Sequence, residues 1–266
     1  MAAYMENELK GRVALVTGGA GGLGSAITEM LARAGASVAI CGRDAKRMQE
    51  AADRMTATTK SRIIPLVLNL REPEAAERAV RLAVEQLGGL DILINTAGAP
   101  VDGRFEEVPG PAWRSSFEVK FFGALDMIRA ALPHLKESKN GVVVTLSGML
   151  GYEPTPINVV SGSINAAIGN AMKALATDLA RYGIRVLTLC PGPFYTDRIQ
   201  TMLKREAAAE GLDIALTQRR AEGSVPLGRF GQPSELAELV GFFVSDHARF
   251  LTGTTITLDG GARRSV

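Results

Sequence analysis

The stretch Arg12-Val-Ala-Leu-Val-Thr-Gly-Gly-Ala-Gly-Gly-Leu-Gly24 decides the fold of this chain. It opens with an apolar run, Val13 to Val16, of the kind that forms a buried parallel strand. Five glycines follow within seven residues, and an apolar segment from Ser25 to Ala34 continues at helical spacing. A strand that runs through glycines into a helix gathers free N–H groups and a positive helix end at one point, which favours a bound phosphate. The spacing G-x-G-x-x-G is satisfied by Gly19, Gly21 and Gly24.

Apolar runs and helix-like segments alternate along the rest of the chain. Further strands are predicted at 37–41, 62–69, 90–95, 141–147 and 184–189, and helices at 44–58, 72–87, 111–132, 157–182 and 234–245. Strands separated by such helices indicate βαβ units and a parallel sheet covered on both faces. We therefore predict a single α/β dinucleotide-binding domain over residues 1–266, with a doubly wound parallel sheet of about seven strands. The ligand cleft is expected at the carboxyl ends of the strands.

One segment interrupts this alternation. Residues 196–226 lie between the sixth strand and the last helix, and they are polar and only weakly helical. About thirty residues of this kind beside a cleft favour a substrate lid over an idle loop. Its charged side chains are expected on solvated helix faces, although one arginine could meet an acidic substrate.

Composition limits the classes of function. The 266 residues carry a formal net charge of +2, which gives no reason to expect nucleic acid or a membrane surface as a partner. No apolar stretch reaches the roughly 18 residues of a membrane span. Cys41 and Cys190 lie in strand-like runs, which favours buried free thiols in a reducing compartment. The histidines, His134 and His247, show no metal-ligand spacing, so no metal site is expected. We expect a cytoplasmic protein with a small-molecule substrate.

Several motifs together resemble those of one family, the short-chain dehydrogenases/reductases. Residues 17–24, Thr-Gly-Gly-Ala-Gly-Gly-Leu-Gly, resemble the family's T-G-x-x-x-G-x-G turn. Residues 95–98, Asn-Thr-Ala-Gly, resemble its N-N-A-G segment with Thr96 in place of the second Asn, and residues 191–196 are similar to P-G-x-x-x-T. The closing segments between Pro226 and Gly261 resemble the 3-oxoacyl-carrier-protein reductase branch. The resemblance covers about residues 10–262 and implies a Rossmann-type oxidoreductase.

The resemblance also implies a dinucleotide cofactor. The contacts carried over are Thr17, Gly18, Gly19, Gly21, Gly22, Leu23, Gly24, Arg43, Asn69, Leu70, Asn95, Ala97, Gly98, Pro191, Gly192 and Thr196. After the second strand, an acidic residue would accept the ribose 2′-OH of NAD and a cation would pair with the 2′-phosphate of NADP. Arg43 comes first, and Asp44 is available to cap the next helix. NADP(H) is therefore favoured over NAD(H), although the glycine turn itself contains no second cation.

The catalytic positions depart from the family pattern of Asn, Ser, Tyr and Lys. The Tyr position falls on Ser161, the Lys position four residues later on Asn165, and the Asn position in the fourth helix on Lys120. The Ser position falls on Gly148, beside Ser147. A serine hydroxyl is far too weak an acid to replace the phenol, and Asn165 brings no charge to assist it. The usual alcohol/ketone mechanism is not supported by these residues.

Three residues are candidates for a different mechanism. Lys120 would project toward the missing Lys position, where burial would lower its pKa and let it donate a proton or hold an anion; a displaced surface lysine is the alternative. Tyr152, at the cleft mouth, could be an acid or, more simply, an aromatic wall of the pocket. Ser147 could bind a carbonyl oxygen if its strand ends one residue early, or it could bond its own backbone.

These residues leave three classes of function open. The first is an atypical NADP(H)-dependent oxidoreductase acting on an activated carbonyl or enone-type substrate. The second is a nucleotide-binding homologue or partner subunit without turnover, and the third is a non-redox lyase or isomerase. The resemblance further implies a homodimer or homotetramer that pairs the fourth and fifth helices. The apolar residues that would permit this pairing are Phe121, Phe122, Ile168, Met172 and Leu175.

Overall fold

The computed structural model describes residues 7–98 and 101–265 of the chain. Residues 1–6, 99–100 and 266 of the predicted domain lie outside the described residues. The described chain forms one α/β unit around a single sheet. The prediction of a single Rossmann-like α/β domain is confirmed.

All seven strands of this sheet are parallel. They are β1 (Val13–Thr17), β2 (Ser37–Gly42), β3 (Ile63–Val67), β4 (Ile92–Asn95), β5 (Val142–Leu146), β6 (Arg185–Pro191) and β7 (Thr255–Leu258). Their order across the sheet is β3-β2-β1-β4-β5-β6-β7, with β1 hydrogen-bonded between β2 and β4. The order reverses direction at β1, and a doubly wound sheet binds its ligand at such a point. Val16 of β1 pairs with Ile40 and Ile94 in this register.

Nine α-helices connect and cover these strands in the described part of the chain. They are α1 (Gly22–Arg33), α2 (Ala45–Thr59), α3 (Ala75–Leu87), α4 (Gly110–Phe117), α5 (Gly123–Glu137), α6 (Val159–Leu179), α7 (Asp197–Glu210), α8 (Ile214–Gly223) and α9 (Pro233–Val244). One apolar layer joins α1, α2 and α9 to the sheet, and a second joins α3, α5 and α6 to its other face. Successive side chains of a strand point to opposite faces of the sheet, so Val16 of β1 lies in the first layer and Leu15 in the second.

Two predicted helices have different bounds. The helix predicted at 72–87 begins at Ala75, because its N-cap residue Glu74 has a left-handed backbone with φ of 59°; Pro73 therefore precedes the helix. The helix predicted at 111–132 begins at Gly110 and continues to Glu137, and a π-helical turn over Glu118–Phe122 divides it into α4 and α5. Such turns often occur at functional sites, and this one contains Lys120.

Residues 196–226 contain two helices, α7 and α8, and not weakly ordered chain. Leu203 of α7 packs in a small buried cluster with Val225 and Phe230, apart from the two main apolar layers. The segment therefore has a small apolar cluster of its own. Within the described residues, no helix has the length and apolar character required to cross a membrane.

Candidate active site

The ends of β1 and β4 are tied together by threonines. The hydroxyl of Thr17, which is buried, accepts hydrogen bonds from the backbone N–H groups of Thr96 and Ala97 at 3.1 and 3.2 Å. The Thr96 hydroxyl donates in return to the Thr17 carbonyl at 2.6 Å. Thr96, which stands in place of the expected Asn, therefore joins two strands at the point where the sheet order reverses.

Different positions of the glycine turn require glycine for different reasons. A Cβ on Gly24 would lie 2.3 Å from the Gly18 carbonyl oxygen, and a Cβ on Gly19 would lie 2.6 Å from Ile40. Those positions need glycine so that α1 and β2 can pack against the turn. Gly22 differs: its φ is +50°, and the nearest atom to an added Cβ is a Thr196 methyl at 3.9 Å. The turn is therefore tightly packed on the side that faces α1 and β2, and open on the side that faces Thr196.

The open side of the turn fits a phosphate group. The N-cap of α1, Gly21, offers no side chain to the first N–H groups of the helix. Those groups and the helix dipole attract an anion. A cavity of about 450 Å³ adjoins Gly21 and Gly22 and is also bordered by Arg47 and Thr196. The residues present thus fit the diphosphate of a dinucleotide.

Two arginines lie at the edge of this turn. Arg43 is exposed, directly after β2, and Asp44 is used as the N-cap of α2, where its carboxylate accepts a hydrogen bond from the Arg47 N–H at 3.0 Å. The Arg47 side chain folds back over the turn: its Nε lies 3.4 Å from the Ala20 carbonyl oxygen. Neither arginine forms an ion pair with a described residue. Arg47, the third residue of α2, was not among the predicted cofactor contacts, because its local sequence does not show that its side chain folds back over the turn.

The other predicted cofactor contacts are distributed along the strand ends. The side-chain oxygen of Asn69 accepts a hydrogen bond from the Arg71 N–H at 3.3 Å, and Leu70 packs against the second apolar layer. Gly192 lies where a Cβ would be 2.5 Å from Asp259, so its glycine identity is also required by packing. Thr196 is the extended N-cap of α7 and forms no capping bond with its side chain.

Asn95 has an unusual environment. It is buried at the end of β4, and its amide nitrogen donates to the Thr145 hydroxyl at 3.4 Å. Its amide oxygen is buried without a hydrogen-bond partner among the described residues. An unpaired buried acceptor is costly in free energy. A bound group with a hydrogen-bond donor would satisfy this oxygen.

Lys120 extends from the π-helical turn into the strand ends. Its Nζ donates to the Asn165 side-chain oxygen at 2.6 Å and to the Ser147 carbonyl at 3.2 Å. Its aliphatic part crosses Gly98, where an added Cβ would lie 2.6 Å from the Lys120 Cβ. The structure therefore brings Lys120 together with Ser147 and with the end of β4.

The environment of Lys120 changes its acidity. Its pKa is lowered from 10.5 to about 8, mainly because burial disfavours the ammonium form. The positive charge of Arg198 lowers this pKa as well, while Cys190 has the opposite effect. An amine with such a pKa can both hold and release a proton near neutral pH.

The other two catalytic candidates have different surroundings. The strand β5 ends at Leu146, one residue before the predicted end, but Ser147 is buried and its hydroxyl lies 3.5 Å from the Leu189 carbonyl. Ser147 thus contributes its own carbonyl to Lys120. The ring of Tyr152 is 40% exposed and stacks under the Arg263 guanidinium at 4.0 Å.

A second polar group, which the sequence reading missed, surrounds Ser161. The Asp102 carboxylate accepts hydrogen bonds from Ser161 at 3.1 Å and from Asn158 at 2.8 Å. Its other oxygen pairs with Arg198 of α7 at 2.9 Å. Asp102 lies in an irregular loop between β4 and α4, so no spacing rule could have brought it to Ser161, which is 59 residues away in sequence.

No metal site is apparent in residues 7–98 and 101–265: they contain no group of three or more His, Cys, Asp or Glu side chains suited to hold an ion. Cys41 and Cys190 are buried free thiols.

The chain is similar to known reductases over nearly its whole length. A family model described as enoyl-(acyl carrier protein) reductase matches residues 18–263. The chain is 29% identical to the 3-oxoacyl-[acyl-carrier-protein] reductase of Thermotoga maritima, over 95% of this chain and 98% of that protein. It is 30% identical to the peroxisomal 2,4-dienoyl-CoA reductase of Danio rerio, over 97% and 84%.

A solved structure extends the agreement to three dimensions. The L-sorbose reductase of Gluconobacter frateurii, complexed with NADPH and L-sorbose, has a TM-score of 0.93 and 26% identity. The match covers 97% of this chain and 98% of that one. Fold, glycine turn and relatives lead to one conclusion: the chain belongs to the short-chain dehydrogenase/reductase family of oxidoreductases, whose cofactors are NAD(H) or NADP(H).

Proposed function

We propose that this chain is an NADP(H)-dependent oxidoreductase that acts on an activated carbonyl or enone-type small molecule, with Lys120 as its proton source. The position of the Lys120 amine supports this role: it hydrogen-bonds Asn165 and the Ser147 carbonyl beside the ends of β4 and β5. An activated substrate suits this site, because hydride addition to an electron-poor carbon needs less acid assistance than reduction of a simple ketone.

The preference for NADP(H) is supported by charge. Arg43 and Arg47 are exposed cations without an ionic partner in the described chain, and Asp44 is engaged as a helix cap. The 2′-phosphate of NADP(H) would gain two guanidinium partners here, whereas Asp44, the carboxylate that follows β2, already caps α2. The NADPH in the complex of L-sorbose reductase is consistent with this preference.

The residues of this chain would have the following roles in cofactor binding and proton transfer. The glycine turn binds the diphosphate, and Arg43 and Arg47 bind the 2′-phosphate. When bound, NADPH supplies the hydride. Lys120 holds a proton at Nζ, kept in place by Asn165 and Ser147, and releases it to the substrate oxygen or carbon that becomes basic as hydride arrives. Tyr152 is an aromatic wall at the mouth of the cleft.

The segment 196–226 is proposed as the substrate lid. Arg198, in the first turn of α7, pairs with Asp102 of the loop after β4, and Asp102 also accepts a hydrogen bond from Ser161; these contacts support the role of a lid. Excluding water in this way strengthens the electrostatic interactions inside a site.

The chain is further proposed to form a homodimer or homotetramer. One part of the sequence-based reasoning is wrong: Ile168 and Met172 lie in the second apolar layer and offer no surface. Phe122, which is 46% exposed, remains available. It borders a groove that also contains Trp113 and Phe117. Light scattering at micromolar concentration tests this, and a monomer would contradict it.

Two measurements together test the proposed function. Calorimetry should detect NADPH binding that is at least about tenfold tighter than NADH binding. A panel of enones and activated carbonyls, followed by nicotinamide absorbance and by product analysis, should then show oxidation of NADPH matched by reduced product. NADPH binding without oxidation across the panel would indicate a binding subunit instead. Product formation with constant absorbance would indicate a lyase or isomerase.

A further inference from the structure

Lys120 lies in a narrow space bordered by two glycines. A Cβ on Gly98 would lie 2.6 Å from the Lys120 Cβ and 2.8 Å from its Cγ. Gly98 has φ of +124°, so any other residue would be strained as well as crowded. The aliphatic part of Lys120 can therefore cross the end of β4 only because this residue is glycine.

The second glycine, Gly148, leaves space for the Asn165 side chain. A Cβ on Gly148 would lie 2.7 Å from the Asn165 amide nitrogen and 3.3 Å from its amide carbon. The φ of Gly148 is 170°, which is extended backbone open to any residue. Gly148 is thus required for the space it leaves and not for its conformation, and Asn165 fills that space.

Asn165 has a defined orientation. It is 5% exposed, and its oxygen accepts the bond from Lys120 at 2.6 Å. Because a protonated amine has only donors, the amide oxygen must face Nζ. The amide nitrogen then points at Gly148. A side chain on residue 148 would push the amide away from the lysine.

We propose that Asn165 is a positioning residue for the Lys120 amine, and that Gly148 is glycine in order to admit Asn165; the three residues act as one unit. The proposal rests on the proposed function, in which Lys120 carries the proton. It explains why residues at the Asn, Ser and Lys positions of the family pattern would differ together: an amine supplied from the π-helical turn needs an acceptor on α6 and an unobstructed gap between them.

The charged and titratable groups around Lys120 come from several elements. Arg198 approaches from α7, and Cys190 from β6. Asp102, from the loop after β4, is paired with Arg198. None of these residues is itself substituted in the variants at residues 148 and 165, so an effect of those changes on the amine reports on Asn165.

The test is the pH dependence of lysine labelling. The protein is treated with trace acetic anhydride at a series of pH values, and acetylation of Lys120 is quantified by mass spectrometry. Only the neutral amine reacts, so the midpoint reports the pKa of Lys120, and no substrate or turnover is needed. Asn165→Asp places a negative charge beside the amine and should move the midpoint up by about one pH unit. Asn165→Leu removes the acceptor and should move it down by a similar amount.

Gly148→Ser provides the second variant. This change should displace Asn165 and so lower the labelling midpoint of Lys120 as Asn165→Leu does. The double variant Gly148→Ser with Asn165→Leu should lower the midpoint no further than either single variant. Asn170→Asp, on an exposed position of α6, and Gly89→Ser, with no atom within 4 Å of an added Cβ, are the matched controls and should leave the midpoint unchanged. Circular dichroism and NADPH affinity check that each variant is folded.

The outcomes are distinct. The proposal is supported if Asn165→Asp and Asn165→Leu move the labelling midpoint of Lys120 in opposite directions and if the effects of Gly148→Ser and Asn165→Leu do not add. An unchanged midpoint in folded Asn165→Asp and Asn165→Leu would overturn it. Because labelling does not depend on catalysis, a lack of redox turnover would contradict the proposed function and leave this result standing.

Discussion

The Nζ atom of Lys120 lies 2.6 Å from the Asn165 side-chain oxygen, although the two residues are 45 positions apart in sequence. The contact joins the π-helical turn between α4 and α5 to the middle of α6. It holds the Lys120 amine beside the ends of β4 and β5, and it connects the local geometry to the proposed chemistry.

The stability of the protein should depend on pH through Lys120. The pKa of this residue is lowered to about 8 in the folded chain, while an unfolded lysine has its ordinary pKa near 10.4. Between these values the unfolded chain binds more protons, so the free energy of unfolding should rise with pH across this window, relative to Lys120→Met, by on the order of 1 kcal/mol. Urea unfolding of both proteins at several pH values measures this. Parallel curves for the two proteins would show that Lys120 does not titrate in this window.

The arginines beside the glycine turn should set the cofactor preference. Arg43→Ala and Arg47→Ala should each weaken NADPH binding by about tenfold or more and leave NADH binding nearly unchanged, because only NADPH carries the 2′-phosphate. Lys46→Ala, an exposed change on the same turn of α2, is the control. Calorimetry at two salt concentrations measures the effect, and an equal loss for both cofactors would refute a 2′-phosphate role.

The Asp102–Arg198 pair should matter for substrate and not for folding. Both side chains are about half exposed, and such pairs contribute about 0–1 kcal/mol to stability. Asp102→Asn and Arg198→Ala should therefore leave the melting temperature nearly unchanged but raise KM several-fold, if residues 196–226 close over the cleft. Arg220→Ala breaks the Glu210–Arg220 pair within the same segment and should alter neither quantity. Unchanged KM in both site variants would argue against a lid.

Substitution of a crowded glycine in the glycine turn should cost more stability than substitution of an uncrowded glycine on α6. Gly24→Ala would place a Cβ 2.3 Å from the Gly18 carbonyl, where backbone must move, so a loss of about 1–3 kcal/mol is expected. Gly169→Ala meets only the Tyr152 hydroxyl at 3.9 Å and should be neutral. Thermal unfolding compares them, and a stable Gly24→Ala protein would mean that the turn is looser than described.

The fold was largely predictable because buried parallel strands are continuous apolar runs. Val13 to Val16 and the strands after it could be recognised from residue type alone. The bounds of α3 were less predictable, because the left-handed conformation of Glu74 is not a property of its residue type. Ile168 and Met172 were misassigned because apolar spacing on a helix shows that a face is buried but not what covers it.

The site was only partly predictable. The glycine turn and Lys120 could be selected from local motifs, since each lies in a recognisable segment. Arg47, Asp102 and Asn165 act through contacts between segments far apart in sequence, and no local spacing encodes them. The π-helical turn that aims Lys120 also leaves no mark in the apolar pattern, because it adds only one residue to a helical turn.

The pH dependence of NADPH oxidation with the best substrate of the panel shows whether Lys120 supplies the proton. If the Lys120 ammonium is the proton source, kcat for reduction should be highest below about pH 8 and should fall as the pH rises through that value. Lys120→Met should reduce kcat by about a hundredfold or more and remove this descending limb, while Lys139→Met, an exposed control, should change neither. Wild-type rate and an unaltered pH profile in Lys120→Met would contradict the account.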